Sequence, residues 1–481
     1  MADRSVLPGL NTIQPVIAGL AQAGDRLILA DGTYTFNATG VELDPVALGK
    51  TLTGLTIMAE NYGGAIIVMT GCPAAFCQCR GVESVTWDGL HFTGNPNGKV
   101  FDDAGGAPTG WVWKNLLASC ARTLIDISTT ALSMVISDIT TTASYTGPSV
   151  VQLTGVAAVN SDALIKKIDA RIHGPGVIHG VRLVNMRDVR TRELRAYDMV
   201  NYGFKTHSDD DAIQVRDIIA SNIEVRRAGL VGIHIGNTAT VAHTSKVYIY
   251  DAIVEDTIDG YGIEFENLTS ECELVGYRIE RTQKIGVALA EDTENILVTN
   301  GLVDTVGTPG TSSGVVTAVG RRHRIHHNTF TNVTWGITIA QPLGFSTPEE
   351  RNLIRENIFV NTHYVYRCGT TGMPSGQLAH MLGPNIVLAP TINYSTVNEV
   401  PRTKAEFEAL FPDCIDEPDI MIDSIDDLLF FNTPAGDYAT YRGSSAEQIR
   451  AGFYFTHPHL QQNPPQEKIM PFTSGTKKVL V

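Results

Sequence analysis

The chain has 481 residues, of which 43% are apolar, 18% charged and 7% aromatic, and its net charge is −15. That length suits one large core or two to three domains. The acidic balance argues against a nucleic-acid partner, since phosphate contacts need Lys and Arg. The chain also has no apolar run near the roughly 20 residues that a membrane span requires.

The N-terminal segment predicts a short amphipathic helix followed by strands. In residues 11–23, Val16, Ile17 and Leu20 share one helical face, and Gly24 can end the helix. Residues 24–36 (GDRLILADGTYTF) predict two strands joined by a turn. A helix placed here would cover the open end of a solenoid. A basic start followed by a continuous apolar stretch is missing, so we expect no signal peptide.

Residues 50–370 repeat a short unit of the form Gly–apolar–X–apolar. It occurs as GVRL (180–183), GFKT (203–206), GIHI (232–235), GIEF (262–265), GVAL (286–289), GVVT (314–317) and GITI (336–339), with glycines 22 to 30 residues apart. That spacing fits one coil of three short strands. Since no crossover helices interrupt the repeats, a doubly wound α/β fold is excluded.

The sequence pattern changes after residue 370, from strand repeats to segments that predict helices. Residues 403–411 predict a helix with a capping box from Thr403 to Glu406, ended by Pro412, and residues 444–452 predict a second helix. We therefore predict an all-β, right-handed parallel β-helix over 25–370. An N-terminal cap would occupy 1–24, and a small α+β or irregular region with an extended tail would occupy 371–481.

The chain has seven cysteines. Cys77 and Cys79 are too close for a usual bridge, and no CxxC pair occurs. This pattern predicts free, mostly buried thiols, with neither a disulfide framework nor a zinc site.

The X position of each repeat points outward if its apolar neighbours point inward. In chain order these positions are Arg182, Lys205, His234, Glu264, Ala288, Val316 and Thr338. Other ionisable residues expected beside them are His207, Glu266, Asp209, Asp210 and Asp211. A charged cluster that stops after three or four coils is typical of a functional site. The alternative is an ordinary solvated face, and a one-residue slip would reverse every side chain.

Weaker candidates lie elsewhere. The stretch RRHRIHH (321–327) could be a metal or anion site, but alternation also makes it one polar strand face. The acidic run 413–427 lacks the spacing of a known calcium loop, which favours a solvated segment. The HPH segment (457–459) reads as surface. The tryptophans that could stack on sugars are Trp87, Trp111, Trp113 and Trp335, of which Trp87 and Trp335 could equally be packed at a corner.

The opening coils carry a family resemblance. The segments AGDRLILADGTYTF (23–36), LTIMAENYGGAIIVMTG (55–71) and VESVTWDGLHFTG (82–94) resemble the first coils of pectin-lyase-like β-helix proteins. They look most like the chondroitinase B and alginate lyase group, polysaccharide lyase family 6. The resemblance implies the fold and a polysaccharide partner.

A second resemblance concerns the candidate site. Mannuronan C5-epimerases carry the motif Tyr-Gly-Phe-Asp-Pro-His, and residues 202–207 of this chain read Tyr-Gly-Phe-Lys-Thr-His. The resemblance implies site roles for Tyr202 and His207, while Lys205 replaces the aspartate. We find no copy of the family 6 catalytic Lys and Arg motif or of its calcium-binding acids. The cofactor is therefore undetermined, with calcium an option. Phage tailspikes and depolymerases share this fold as homotrimers, which implies an extracellular or virion-associated homotrimer as one outcome.

Three functions follow, of which the first is a lyase acting on a uronate-containing polysaccharide by β-elimination. That reaction needs a group that neutralises the carboxylate, a base for the C5 proton and an acid for the leaving oxygen. Arg182 or His234 would neutralise the carboxylate. Lys205 or His207 would be the base, and Tyr202 or His207 the acid. Like charges around Lys205 would lower its pKa, as a base near neutral pH requires.

The second function is a glycoside hydrolase, which needs two carboxyl groups that flank the bond. One would come from Asp209, Asp210 or Asp211 and the other from Glu264 or Glu266. The third is a non-catalytic glycan-binding or structural virion component, because a fold does not determine a function.

Overall fold

The computed structural model describes residues 1–37, 40–72, 75–79, 81–102, 109–128, 133–156, 161–237, 243–290, 292–307, 312–317, 320–339, 351–368, 380–388, 394–397 and 400–422. Within these ranges the chain winds into a parallel β-helix, because successive coils pair through parallel strands. The predicted β-helix is thus confirmed. The predicted helix at 444–452, the HPH segment and the extended tail lie outside the described residues.

The larger sheet has 24 strands among the described residues. They are Asp3–Val6, Gly9–Leu10, Arg26–Leu29, Gly32–Thr35, Thr56–Ala59, Ala65–Val68, Thr86–Asp88, His91–Gly94, Val112–Cys120, Val135–Thr141, Ala163–Ala170, Arg187–Tyr197, Val215–Arg226, Thr244–Glu255, Thr269–Ser270, Glu273–Glu280, Leu297–Asp304, Arg324–His326, Thr329–Thr331, Asn352–Arg355, Ile358–Val360, His380–Leu382, Ile386–Leu388 and Ile420–Ile422.

A second sheet has 12 strands and is called the twelve-strand sheet below. Its strands are Ile125–Ser128, Ser149–Thr154, His179–Val184, Tyr202–Ser208, Val231–Asn237, Tyr261–Phe265, Ile285–Leu289, Ser313–Thr317, Trp335–Ile339, Tyr364–Cys368, Ser395–Val397 and Val400–Arg402. The last two pair antiparallel. In the early coils a short sheet joins Val41–Leu43, Cys77–Cys79 and Phe101–Asp102.

The larger sheet bends once per coil at a residue with left-handed backbone. Non-glycine residues at this bend are Asn115, Asp138, Lys167, Glu193, Asn222, Asp251, Asn300, His327 and Glu356, with φ between 53° and 58°. Asn and Asp tolerate this conformation better than most residues because their short side chains bond the nearby backbone. The bend therefore explains why Asn115, Asn222 and Asn300 occur at this position of their coils.

The core is one continuous apolar column inside the coils. Trp87, Trp111 and Trp113 are fully buried in this column and are not open to a sugar. Trp335 lies outside the column, is 6% exposed, and stacks on Tyr364 with the Arg367 guanidinium 4.4 Å from its ring centroid. Four cysteines, Cys72, Cys120, Cys272 and Cys368, are buried free thiols.

Helices lie near both ends of the solenoid. The first, Ile13–Gly19, buries Ile13 and Ile17 within the range predicted for it. Parallel pairing already begins before it, where Asp3–Val6 pairs with Arg26–Leu29. A short helix, Pro45–Leu48, follows. None of the helices in the described ranges is long and apolar enough to cross a bilayer.

Near the C-terminal end, helix Lys404–Leu410 carries the predicted capping box between Thr403 and Glu406. A 3₁₀ turn, Pro412–Cys414, follows it. Parallel pairing continues to Ile420–Ile422. Coils therefore extend beyond the predicted boundary at residue 370.

A buried asparagine ladder connects these last coils. Asn328, Asn357 and Asn385 are fully buried. The backbone N–H and the side-chain amide of Asn328 both donate to Asn357 Oδ1, at 3.0 and 3.1 Å. Asn357 donates to Asn385 in the same way, at 2.9 and 3.1 Å, and Asn385 donates to Asp419 Oδ1. Each rung satisfies polar groups that would be costly to bury unpaired.

Candidate functional site

Six polar side chains form one row across the twelve-strand sheet, which we call the outer ladder. In register, it runs through Asp126, Gln152, Arg182, Lys205, His234 and Glu264. The residues on either side within each strand are buried, as Val181 and Leu183 are around Arg182. Because strand side chains alternate, the ladder faces outward. The row becomes apolar at Ala288, the partner of Glu264 on the next coil.

The N-terminal end of the ladder is a hydrogen-bonded network. Arg182 Nη1 donates to Gln152 Oε1 at 3.2 Å, and Gln152 Nε2 donates to Asp126 Oδ1 at 3.4 Å. Lys99 Nζ lies 3.6 Å from the same Asp126 oxygen. Burial raises the pKa of Asp126, and Lys99 opposes that rise. These contacts fix the position of the Arg182 guanidinium.

Tyr202 lies between two histidines on neighbouring coils. Its ring stacks on His179 with centroids 5.5 Å apart and lies 5.0 Å from the ring of His234. Burial raises the pKa of its hydroxyl, and Glu264 and Glu266 add to the rise. Tyr202 is therefore a protonated phenol near neutral pH.

Lys205 lies between Arg182 and His234 in the outer ladder. Its Nζ lies 4.7 Å from the centroid of the Tyr202 ring, a cation–π distance. Burial lowers the pKa of this ammonium, Arg182 lowers it further, and Glu266 and Glu264 oppose the change. A lysine in this environment releases its proton more readily than an exposed one.

His207 follows Lys205 by two residues on the strand Tyr202–Ser208 and is 2% exposed. It pairs in register with Val184 on one side and Gly236 on the other. Burial lowers its pKa to about 2, with further contributions from Lys205 and Arg182. The ring is neutral near pH 7, and its Nδ1 is buried without a hydrogen-bond partner in the described part of the chain.

The acidic end of the ladder pairs one histidine with two carboxylates. His234 Nε2 lies 2.9 Å from Glu266 Oε2 and 3.7 Å from Glu264 Oε2. The hydrogen bond to His234 lowers the pKa of Glu266. Burial raises the pKa of Glu264 to about 7, and the nearby Glu266 charge adds to the rise. The two acids therefore differ in protonation near neutral pH.

The acidic loop Asp209–Asp211 is exposed. Asp209 Oδ1 accepts from Asn185 Nδ2 at 2.5 Å, and Asp210 Oδ1 accepts from the backbone N–H of Ala212 at 2.8 Å. The carboxylates of Asp209 and Asp210 therefore shape the loop. Glu264 of the ladder and the neighbouring Glu266 already form an acid pair at His234.

Sequence reasoning missed three members of this surface. His179, Gln152 and Asp126 adjoin the predicted residues through the stacking and hydrogen bonds described above. A signal for His179 was present, because it precedes Gly180 as Tyr202 precedes Gly203, and the two pair in register. Gln152 and Asp126 lie on earlier coils that lack the glycine-marked repeat.

The reactions that the outer ladder and its neighbours could support depend on how their charged groups are arranged along the sheet. A cationic part, Arg182 and Lys205, adjoins a neutral aromatic part, Tyr202 and His207. An acidic part with unequal pKa values follows. Such shifted groups on one face are typical of active sites, although ion-pair networks also produce them.

The comparisons with known proteins agree with the coiled architecture. Residues 162–375 match the family model described as "Periplasmic copper-binding protein (NosD)". Curated proteins gave no sequence match. The matched range contains most of the outer ladder.

Three solved structures illustrate the similarity in fold. The A-module of the mannuronan C-5 epimerase AlgE6 from Azotobacter vinelandii is 12% identical, with 78% of this chain and 91% of that chain covered and a TM-score of 0.44. A family 6 polysaccharide lyase from Pseudopedobacter saltans is 11% identical, with coverage of 94% and 99% and a TM-score of 0.44. A family 28 exopolygalacturonase from Yersinia enterocolitica is 10% identical, with coverage of 75% and 78% and a TM-score of 0.43. The strand pairing shows that this chain has a parallel β-helix fold, and its residues 162–375 are similar to the NosD family.

Proposed function

We propose that the outer ladder binds a uronate-containing polysaccharide and cleaves it by β-elimination. The observation that carries this proposal is the placement of Arg182 and Lys205 in register on adjacent coils, beside the protonated phenol of Tyr202. A neutral glycan has no need of the Arg182 cation. A uronate substrate needs it, because the negative charge of the carboxylate opposes removal of the neighbouring C5 proton, and Lys205 beside it can take that proton once it has lost its own.

Arg182 is the group that neutralises the substrate carboxylate. Its guanidinium is held by Gln152 and presents a planar fork that suits a carboxylate. His234 is the weaker choice between the two groups considered for this role. Its Nε2 already contacts Glu266, and a substrate carboxylate placed there would meet two further acids.

Lys205 is the base and Tyr202 the acid. The unprotonated Lys205 amine takes the C5 proton, the electrons of that C–H bond form the C4–C5 double bond, and the C4–O bond breaks. Tyr202 then donates its hydroxyl proton to the leaving oxygen. The lowered pKa of Lys205 favours the base role, and Tyr202 is protonated near neutral pH, as the acid must be. His207, which is neutral and buried, is the alternative base.

A glycoside hydrolase is the second candidate, and the Glu264–Glu266 pair favours it. One carboxyl has a pKa raised to about 7 and the other a lowered pKa. Hydrolases use such a division between a general acid and an ionised partner. In this reading Glu264 protonates the leaving oxygen, and Glu266 activates a water or attacks directly.

We also propose that the protein acts outside the cytoplasm, because the matched family is described as periplasmic. Virion association and a homotrimer stay predictions.

The test is a panel of acidic and neutral polysaccharides assayed in two ways. Unsaturated sugars are followed by ultraviolet absorbance, and new chain ends by a reducing-sugar assay. Elimination predicts that both signals rise together on a uronate polymer. Reducing ends without absorbance would support the hydrolase instead. No signal on any polymer would contradict both enzymatic functions and favour a glycan-binding or structural role.

A further inference from the structure

A second cluster of chemically versatile side chains lies on the larger sheet, away from the outer ladder in the fold. His326 ends the strand Arg324–His326 and is in register with Arg355 on the next coil. His327 and Glu356 then occupy the left-handed bend of their two coils, with φ of 56° and 57°. The bends of these successive coils form one corner of the solenoid, where His327 and Glu356 lie next to each other beside His326.

The donor atoms of this corner are close together. His326 Nδ1 lies 2.8 Å from His327 Nδ1, and His327 Nε2 lies 2.8 Å from Glu356 Oε2. One ligand atom from each of the three residues can be chosen so that all lie within 4.8 Å of one another. Ligand atoms about 2 Å from a common tetrahedral centre are about 3.3 Å apart, a spacing that small rotations of the three side chains would reach.

We propose that His326, His327 and Glu356 form a binding site for one divalent transition-metal ion, of which Zn²⁺ is the representative. Two imidazole nitrogens and one carboxylate oxygen are a ligand set that Zn²⁺ accepts, with water in the fourth position. The site is distinct from the proposed polysaccharide site, because it uses another sheet and none of the ladder residues.

The surroundings suit a site that is held in place yet open. The side chains of His327 and Glu356 are 11% and 20% exposed, so an ion can enter from solvent. Thr299 Oγ1 lies 3.3 Å from His326 Nδ1, and this contact is given up when that nitrogen binds an ion. Arg355 Nε lies 3.7 Å from Glu356 Oε1, and its positive charge opposes a cation. We therefore expect moderate affinity.

The competing explanation is structural. His327 and Glu356 could serve only as an ion pair that stabilises the corner, with His326 hydrogen-bonded beside them. That explanation predicts a change in stability when the residues are replaced. It predicts no difference in metal binding.

The experiment uses the full chain without a histidine tag, stripped with a chelator and dialysed. Zn²⁺ binding is measured by calorimetry for the wild type and for the variants His326→Gln, Glu356→Gln and His327→Asn. Asn is chosen at 327 because it tolerates the left-handed backbone. His363→Gln is the matched control, since it removes an exposed histidine elsewhere on the solenoid.

We expect each ligand variant to lose one bound ion or to bind it at least about tenfold more weakly, while His363→Gln behaves as wild type. Cu²⁺ electron paramagnetic resonance gives a second readout, in which the wild type shows coupling to two imidazole nitrogens and His326→Gln to one. The proposal is overturned if wild type and folded ligand variants bind the same number of ions with the same affinity. It is also overturned if the wild type binds none.

Discussion

His234 Nε2 lies 2.9 Å from Glu266 Oε2, although the two residues belong to neighbouring coils and are 32 positions apart in the chain. This contact keeps Glu266 ionised. The resulting negative charge then adds to burial in raising the pKa of Glu264, two residues earlier in the chain. The contact with His234 therefore helps to shift the pKa values of Glu264 and Glu266 in opposite directions.

The first prediction concerns the pH dependence of stability. The folded state raises the pKa of Glu264 from 4.5 to about 7, so it favours the protonated form. This contribution to stability is complete below pH 4.5 and is lost as pH rises through 7. Glu264→Gln cannot lose it, and we expect this variant to gain about 1–3 °C in melting temperature relative to wild type between pH 5 and pH 8.

Differential scanning calorimetry over that pH range checks the result, with Glu60→Gln as an exposed control. If the melting temperatures of wild type and Glu264→Gln change in parallel between pH 5 and pH 8, Glu264 has an ordinary pKa.

The second prediction separates the charge of Lys205 from its proton transfer. Lys205→Arg keeps a cation beside Tyr202, but a guanidinium does not release its proton at working pH. We expect both Lys205→Arg and Lys205→Met to lower kcat by about 10²–10⁴-fold, with KM rising only in Lys205→Met. Steady-state kinetics on the best polymer measures both constants. Near-normal kcat in Lys205→Arg would exclude Lys205 as the base.

The third prediction concerns Arg182. Arg182→Gln removes the group that meets the substrate carboxylate and leaves Gln152 without its donor. We expect kcat/KM to fall by about 10–100-fold on a uronate polymer, the loss of one charge-assisted hydrogen bond. The fall should shrink on a polymer whose carboxylates are esterified. An equal loss on both polymers would mean that Arg182 acts only on the structure of the site.

The fourth prediction is the shape of the pH–rate profile. His207 has a pKa of about 2 and stays neutral over the working range, so it cannot produce an acidic limb near pH 6. We expect kcat/KM to rise with pH as Lys205, whose pKa is lowered, loses its proton. His207→Gln should lower kcat/KM without changing the pH range over which kcat/KM rises. If the rise with pH disappears in His207→Gln, the base is His207 and not Lys205.

The fifth prediction tests the asparagine ladder. Asn357→Ala removes the acceptor for two donors of Asn328 and leaves buried groups unpaired. We expect the free energy of unfolding to fall by about 2–4 kcal/mol. Asn61, which is exposed and bonds Asp31 at the surface, is the control, and Asn61→Ala should change it by less than about 0.5 kcal/mol. Denaturant titration compares the two, and equal effects would contradict a structural role for the ladder.

The repeat made the ladder accessible to sequence reasoning. A glycine two residues before each X position set the register, so Arg182, Lys205, His234 and Glu264 could be aligned without a structure. Alternation then gave the outward face, because inward positions had to be apolar.

Contacts between coils could not be predicted in the same way. The loops that join strands differ in length, so spacing alone does not tell which side chains meet, as His234 meets Glu266 or His327 meets Glu356. Left-handed bends are equally hidden, because Lys167 and Glu193 occupy them although neither residue type signals a turn. The early coils lack the glycine marker, which concealed Gln152 and Asp126.

The most direct measurement is a time course of ultraviolet absorbance on a uronate polysaccharide, with wild type, Lys205→Met and Lys114→Met compared at equal concentration. Lys114 pairs with Asp88 on the larger sheet, so its replacement controls for the loss of a lysine. We predict that wild type and Lys114→Met generate unsaturated product at the same rate while Lys205→Met generates almost none. Equal rates for all three proteins, or no unsaturated product from wild type on any uronate polymer, would contradict elimination at the outer ladder.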